Sequence, residues 1–184
     1  MNIAIIPARG GSKRLKNKNI YSFLGKPLIA YSIEACLNSA SIDQVYVSSE
    51  SKEILDVSES FGAIPLLREA QLADDLTPKI IAIRAAVDDL KALDVMPTNV
   101  AVVQANSPQL TAEFLDAAFD KFEKYKLWEI MSTDENGVQN AALRIVKTQA
   151  LYNTFLSAHC GFIQKNMMDV HTIDDIRTLE KLMS

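Results

Sequence analysis

The chain has 184 residues, 48% of them hydrophobic and 23% charged, with a net charge of −4. That size suits one domain spanning residues 1–184 with a substantial core, and the acidic balance excludes the broad basic surface that grips nucleic acid. No apolar run has membrane-spanning length, and Cys36 and Cys160 show neither metal-ligand spacing nor disulfide density.

The N-terminus enters a strand-like run without the basic and long apolar regions of a signal peptide, so a cytoplasmic protein with small buried thiols is expected. Residues 2–8 (NIAIIPA) form a continuous apolar run that predicts a strand buried on both faces. A helix is predicted over 26–39, with Pro27 suited to its first turn, and a second strand over 44–48. Helical periodicity over 51–61 stops at Gly62, and 63–67 reads as a strand that Pro65 marks as an edge. A helix follows over 77–93, with Thr77 as its expected cap and Pro78 as its first residue. Residues 99–104 predict a fully apolar strand and 111–125 a helix opened by Thr111. Strands are predicted over 128–132, 142–146 and 161–164, and a last helix over 173–183 with Asp174 and Asp175 at its positive end.

Strands alternating with helices imply an α/β fold, a mainly parallel sheet covered on both faces. Ligands in such sheets bind beyond the carboxyl ends of the strands. Here that rule points to 7–19, 48–51, 68–79 and 104–111. The first of these is the most charged. Residues 5–19 (IIPARGGSKRLKNKN) carry Gly10, Gly11 and Ser12 among Arg9, Lys13, Arg14, Lys16 and Lys18. Glycines allow close backbone approach, and clustered cations at a strand end make a phosphate cradle. The spacing is neither that of a Walker A loop nor that of a dinucleotide fingerprint. A tight turn followed by a solvated basic loop is the alternative, but five cations in an acidic chain repel one another without an anion to hold.

The longer string from Ile5 to Cys36 resembles the N-terminal signature of the acylneuraminate cytidylyltransferases, A-R-x-x-S-K-x-L followed by K-N and G-K-P-L-I. Ala8, Arg9, Ser12, Lys13, Leu15, Lys18, Asn19, Gly25, Lys26, Pro27, Leu28 and Ile29 meet it. Two further blocks match in order: LLREAQLADD places Arg68, Leu72, Ala73 and Asp75 on R-x-x-x-L-A-x-D, and VVQANSPQLT keeps Gln104, Ser107 and Pro108. The resemblance is close over 1–115 and loose beyond.

It implies a Rossmann-like three-layer α/β/α fold of the nucleotide-diphospho-sugar transferase type. It also implies transfer of CMP from CTP to an acidic sugar, with release of pyrophosphate. On that resemblance Ala8, Arg9, Gly10, Gly11, Ser12 and Lys13 hold the phosphates, and Arg9 and Lys18 serve the chemistry. Asn19, Arg68 and Asp75 belong to the nucleotide site, and Gln104 and Ser107 to the sugar acid. Mg²⁺, with Mn²⁺ as an alternative, is expected on Asp169, the first aspartate of a late D-x-D motif. His171 stands in place of the second, and an imidazole is a poor Mg²⁺ ligand. Residues 128–159, which in the family supply a dimerisation arm and basic sugar-acid contacts, are short here, leaving Arg144 and Lys147 to pair with a carboxylate. CTP, a sugar acid and, on base rates, a second copy of the chain are the expected partners, with no nucleic acid or membrane. A relative that binds nucleotide or a protein without turnover is the competing reading.

Overall fold

In the computed structural model, which describes residues 1–74, 76–155 and 157–184, seven strands form one sheet. In chain order the elements are β1 (Asn2–Pro7), a small hairpin of β2 (Ser22–Phe23) and β3 (Lys26–Pro27), α1 (Leu28–Leu37), β4 (Gln44–Ser49), α2 (Lys52–Ser60) and β5 (Ile64–Leu67). Then come α3 (Lys79–Ala92), β6 (Asn99–Val103), α4 (Ala112–Lys124), β7 (Glu129–Thr133), β8 (Gln139–Lys147), β9 (Cys160–Gln164) and α5 (Ile173–Met183). The sheet order is β5-β4-β1-β6-β8-β7-β9. β1 pairs in parallel with β4 and β6, β4 with β5, and β7 with β9. β8 runs antiparallel to both of its neighbours.

Alternation along β1 shows how the layers are held. Ala4 and Ile6 face a core built with Ile29 and Ile33 of α1, Ile54 of α2, and Leu115 and Phe122 of α4. Ile3 and Ile5 face the opposite core, with Ile83, Val87 and Leu90 of α3. Both faces are covered, so the strand reads as an unbroken apolar run. Each fully buried Ile, Leu or Phe contributes about 1.5–3 kcal/mol, which outweighs the helix propensity of segments this short. α5 packs elsewhere: Ile176 and Leu179 bury against Phe23, Leu28 and Val170, tying the end of the chain to the hairpin and the start of α1. Cys36 is a buried free thiol and Cys160 a half-buried one. No helix among the described residues is long and apolar enough to cross a membrane.

The expected elements recur with three corrections. Helix α1 starts at Leu28 rather than Lys26, because Lys26 and Pro27 pair with Phe23 and Ser22 across a two-residue turn. Leu24 and Gly25 in that turn both have positive φ, 44° and 86°, as tight hairpins of this hand require. Thr77 does not cap α3. Pro78 occupies the cap position, while the Thr77 N–H donates to Asp74 Oδ1 at 2.6 Å and its hydroxyl donates to Gln71 O. Finally, the strand expected over 142–146 is nine residues long as β8. By contrast Ser51 and Thr111 cap α2 and α4 through their side chains, and β5, carrying Pro65, is a sheet edge.

Candidate functional site

The opening loop leaves β1 at the carboxyl end of the sheet and is fastened at three points. Buried Ala8 extends the ladder through its N–H to Ser48 O at 3.0 Å. The Gly10 N–H donates to Glu50 Oε1 at 2.7 Å. A Cβ on Gly10 would lie 3.2 Å from Ser51 Cβ, so a side chain here would crowd the start of α2. Asn19, also buried, donates its Nδ2 hydrogen to Arg9 O at 2.9 Å and closes the loop on itself. Asn17 takes the left-handed conformation (φ 52°) before the 3-10 turn Lys18–Ile20, a role that asparagine tolerates well. Gly11 stands clear of other atoms, and neither it nor Gly10 has positive φ.

Inside these fastenings Arg9, Ser12, Lys13, Arg14, Lys18 and Asn19 line a cavity of about 560 Å³. Arg68, Asp74, Thr77 and Lys79 form a second wall, Gln104 to Asn106 a third, and His171 closes the far side. Among the described residues six cationic side chains therefore face one carboxylate, Asp74, in a chain of net charge −4. Such a cavity attracts a polyanion. The α3 N-terminus adds to this attraction, since its first turn carries Lys79, no acidic residue and no side-chain cap. Burial lowers the Lys18 ammonium, and Arg14 and Arg9 push the same way, while Asp169 opposes them. Burial also lowers Lys79, again against Asp169.

Asp169 arrives from the far edge of the sheet. After β9 the chain crosses back, and Val170 is zipped to Asn106: its N–H donates to Asn106 O at 2.9 Å and its carbonyl accepts from Asn106 Nδ2 at 2.8 Å. Ser107, fully buried, donates its hydroxyl hydrogen to Asp169 Oδ1. His171 Nδ1 lies 3.3 Å from an Arg14 terminal nitrogen. Burial, with Lys18 and Arg14 next, keeps this imidazole below its usual range. Asp175 caps α5 by accepting from the N–H groups of His171 and Thr172 at 2.8 and 2.7 Å. No three His, Cys, Asp or Glu side chains among the described residues come together as metal ligands.

The structure thus gathers Arg9, Ser12, Lys13, Lys18, Asn19, Arg68 and Gln104 on one cavity. It sets Ala8, Gly10 and Ser107 behind the wall as supports, and Asp75 lies outside the described residues. The Arg68 guanidinium is buried and pairs with Glu50 Oε2 at 2.8 Å. Arg144 is committed to buried Glu129, at 3.1 Å from Nε and 2.6 Å from Nη2. Lys147 pairs in register with Asn99, at the amino end of β6 and away from the site. The second correction follows from β8 running backwards, which strand spacing alone does not disclose. Sequence reasoning enclosed Glu50 and Lys79 in the segments 48–51 and 68–79 but singled out neither residue. The available signal was topological: one follows β4 and the other opens α3, both at the carboxyl end of the sheet.

A sequence model of the cytidylyltransferases matches residues 3–169. The chain is 43% identical over 122 residues to a pseudaminic acid cytidylyltransferase of Campylobacter jejuni, covering 66% of this chain and 53% of that protein. It is 41% identical over 107 residues to a CMP-N,N'-diacetyllegionaminic acid synthase of Legionella pneumophila, covering 58% of this chain and 46% of the relative. The chain thus spans about half the length of the curated relatives it matches. Among solved structures, CMP:2-keto-3-deoxy-manno-octonic acid synthetase complexed with CTP superposes with a TM-score of 0.78 at 14% identity, covering 99% of this chain and 98% of that one. The three-layer α/β/α fold is therefore shared well beyond recognisable sequence identity.

Proposed function

Because the chain belongs to the cytidylyltransferase family, we propose that it transfers CMP from CTP to an acidic sugar, sialic acid-like or a related 2-keto-3-deoxy acid, with release of pyrophosphate. The observation that carries this reading is the cavity of six cationic side chains at the carboxyl ends of the strands. A sugar hydroxyl oxygen forms a bond to the α-phosphorus of CTP as the bond to the bridging oxygen of the β-phosphate breaks. The hydroxyl loses its proton, and pyrophosphate leaves with the electron pair. Positioning and charge neutralisation are the protein's main contributions to such a step.

In this reading Arg9, Gly11, Ser12 and Lys13 hold the triphosphate, on a loop whose shape Ala8 and Gly10 set. Lys18 faces the charge that develops on the leaving pyrophosphate, and Lys79 supplies a second ammonium from the opposite wall. Asn19 and Arg68 orient the nucleoside, with Asp75 in the same block. Gln104 meets the sugar acid, and Ser107 holds Asp169 in place. Mg²⁺ or Mn²⁺ is carried by one or two carboxylates together with substrate phosphates. Asp169 fits the first role, and the metal when bound would neutralise phosphate charge. His171, turned toward Arg14, does not supply a second carboxylate.

Pyrophosphate release is the direct test, with CTP and a panel of eight- and nine-carbon sugar acids in Mg²⁺ or Mn²⁺. CTP-dependent turnover on at least one acid supports the transfer. The position of His171 favours a second reading, a relative that binds nucleotide without turnover. Tight CTP binding with no release on any acid would establish that one. Within the leading reading, His171→Asp restores a second carboxylate and lowers the Mg²⁺ concentration for half-maximal turnover. An unchanged Mg²⁺ titration would remove Asp169 from the metal site.

A further inference from the structure

Glu50 lies immediately after β4, just before the Ser51 cap of α2, and its two carboxylate oxygens reach different walls of the cavity. Oε1 accepts from the Gly10 N–H at 2.7 Å, and Oε2 accepts from an Arg68 terminal nitrogen at 2.8 Å. The Arg68 main-chain N–H also donates to Ser49 O at 2.9 Å, so arginine backbone and side chain are both tied to this junction. The Arg68 side chain is only 6% exposed and that of Glu50 19%. Among the described residues the Arg68 Nε is buried without a hydrogen-bond partner, and Glu50 is the carboxylate that holds this guanidinium. Glu50 itself does not line the cavity.

A carboxylate beside a polyanion site is unfavourable by simple charge, so it needs a reason to be there. We propose that Glu50 is a positioning residue that couples the phosphate loop to the nucleoside wall, holding Gly10 and Arg68 in one fixed relation. The bridge uses charge-assisted hydrogen bonds, which are shorter and stronger than neutral ones and hold geometry well. Burial pushes the Glu50 carboxyl up, but the Gly10 amide and the Arg68 guanidinium outweigh it and keep it below the usual glutamate range. It remains a carboxylate at neutral pH. A glutamine here presents one acceptor and one donor to two donors, so one arm of the bridge must open.

This inference rests on the reading of the cavity as a CTP site, and the experiment separates the two. Calorimetric titrations of the full chain use three probes: CTP, inorganic tripolyphosphate for the loop, and CMP for the Arg68 wall. Glu50→Gln is expected to weaken CTP binding about ten- to hundredfold, the range for losing a charged hydrogen bond. The probe on the opened arm should weaken as well, and CTP, which spans both walls, by more than either partial probe. The melting temperature should drop by a few degrees at neutral pH, and Glu50→Asp should recover part of both losses. Equal CTP affinity in wild type and Glu50→Gln would overturn the proposal alone. So would a CTP loss no larger than that of a partial probe, or a loss that tracks unfolding at the titration temperature and is not relieved by Glu50→Asp. Wild-type protein that does not bind CTP would overturn the nucleotide reading, and this proposal with it. Should Glu50→Gln not fold, hydrogen exchange on the wild-type chain decides: the Gly10 amide must be protected, and exchange at the random-coil rate sinks the bridge.

Discussion

Lys18 stands on the 3-10 turn Lys18–Ile20, with its ammonium facing the cavity and its backbone held by the turn. Its carbonyl accepts from the Tyr21 N–H at 3.2 Å, and no core cluster includes its side chain. Removing that side chain therefore takes charge from the site and little from the fold. Lys18→Ala is expected to lower turnover by about 10²–10³, the scale of losing one preorganised charge-stabilising group, while the melting temperature stays within a few degrees. Turnover near wild type, or a large thermal loss, would make the lysine structural. Most of this site was legible as residues: Arg9, Ser12, Lys13, Lys18 and Asn19 lie together in sequence, and their charge stood out against an acidic chain. Glu50 was not legible. An acidic residue after a strand reads as a solvated helix N-terminus until the fold brings Gly10 and Arg68 to its two oxygens. Lys79 was hidden for a similar reason, because Thr77 and Pro78 read as an ordinary helix start.

At the scale of elements, α5 does more for the site than its distance in sequence suggests. Thr172 and Asp175 form a reciprocal capping box, and Asp175 also accepts from the His171 N–H. The cap thus fixes the end of the crossing segment that brings Asp169 to Ser107. Thr172→Ala removes one arm of the box and is expected to cost about 1 kcal/mol. In urea this appears as a lower midpoint with an unchanged slope. A changed slope would instead mean that the segment and α5 no longer unfold with the rest. Apolar periodicity disclosed the long elements, β1, β4, β6, α2 and α4, because one or both of their faces meet the core. It did not disclose the β2–β3 hairpin, whose two-residue strands carry no period, nor the reversal of β8. The reversal is set by the connection from β7. Asp134 accepts the amide hydrogens of Asn136 and Val138 there, a tight turn that a βαβ pattern does not anticipate.

For the whole molecule, the same hydrogen-bonded carboxylates that join its layers make its stability depend on acid. Asp116 on α4 accepts from Ser39 Oγ at 2.6 Å and from the Ala40 and Ser41 N–H groups at 3.3 and 3.1 Å, pinning α4 to the turn after α1. Burial raises its carboxyl, and the bonds from Ser39, Ser41 and Ala40 more than offset this and hold it low. Asp175 behaves alike: burial raises it, and the His171 and Thr172 amides bring it below the usual range. Glu50 is a third such group. A carboxyl depressed in the folded state binds its proton more readily once unfolded. Its stabilisation is therefore complete above the unfolded values, about 3.9 for Asp and 4.3 for Glu, and is lost as pH falls through the lower folded values. The melting temperature is expected to fall slightly from neutral pH to about pH 5, because folded His171 resists the proton that it takes up once unfolded, and to decline more steeply below that as the carboxylates protonate. Asp116→Asn cannot take up this proton, so it should melt lower at neutral pH and show a shallower acid limb, the two curves converging in acid. Parallel curves across the whole range would mean that Asp116 holds the α1–α4 layer by packing and not by its charge.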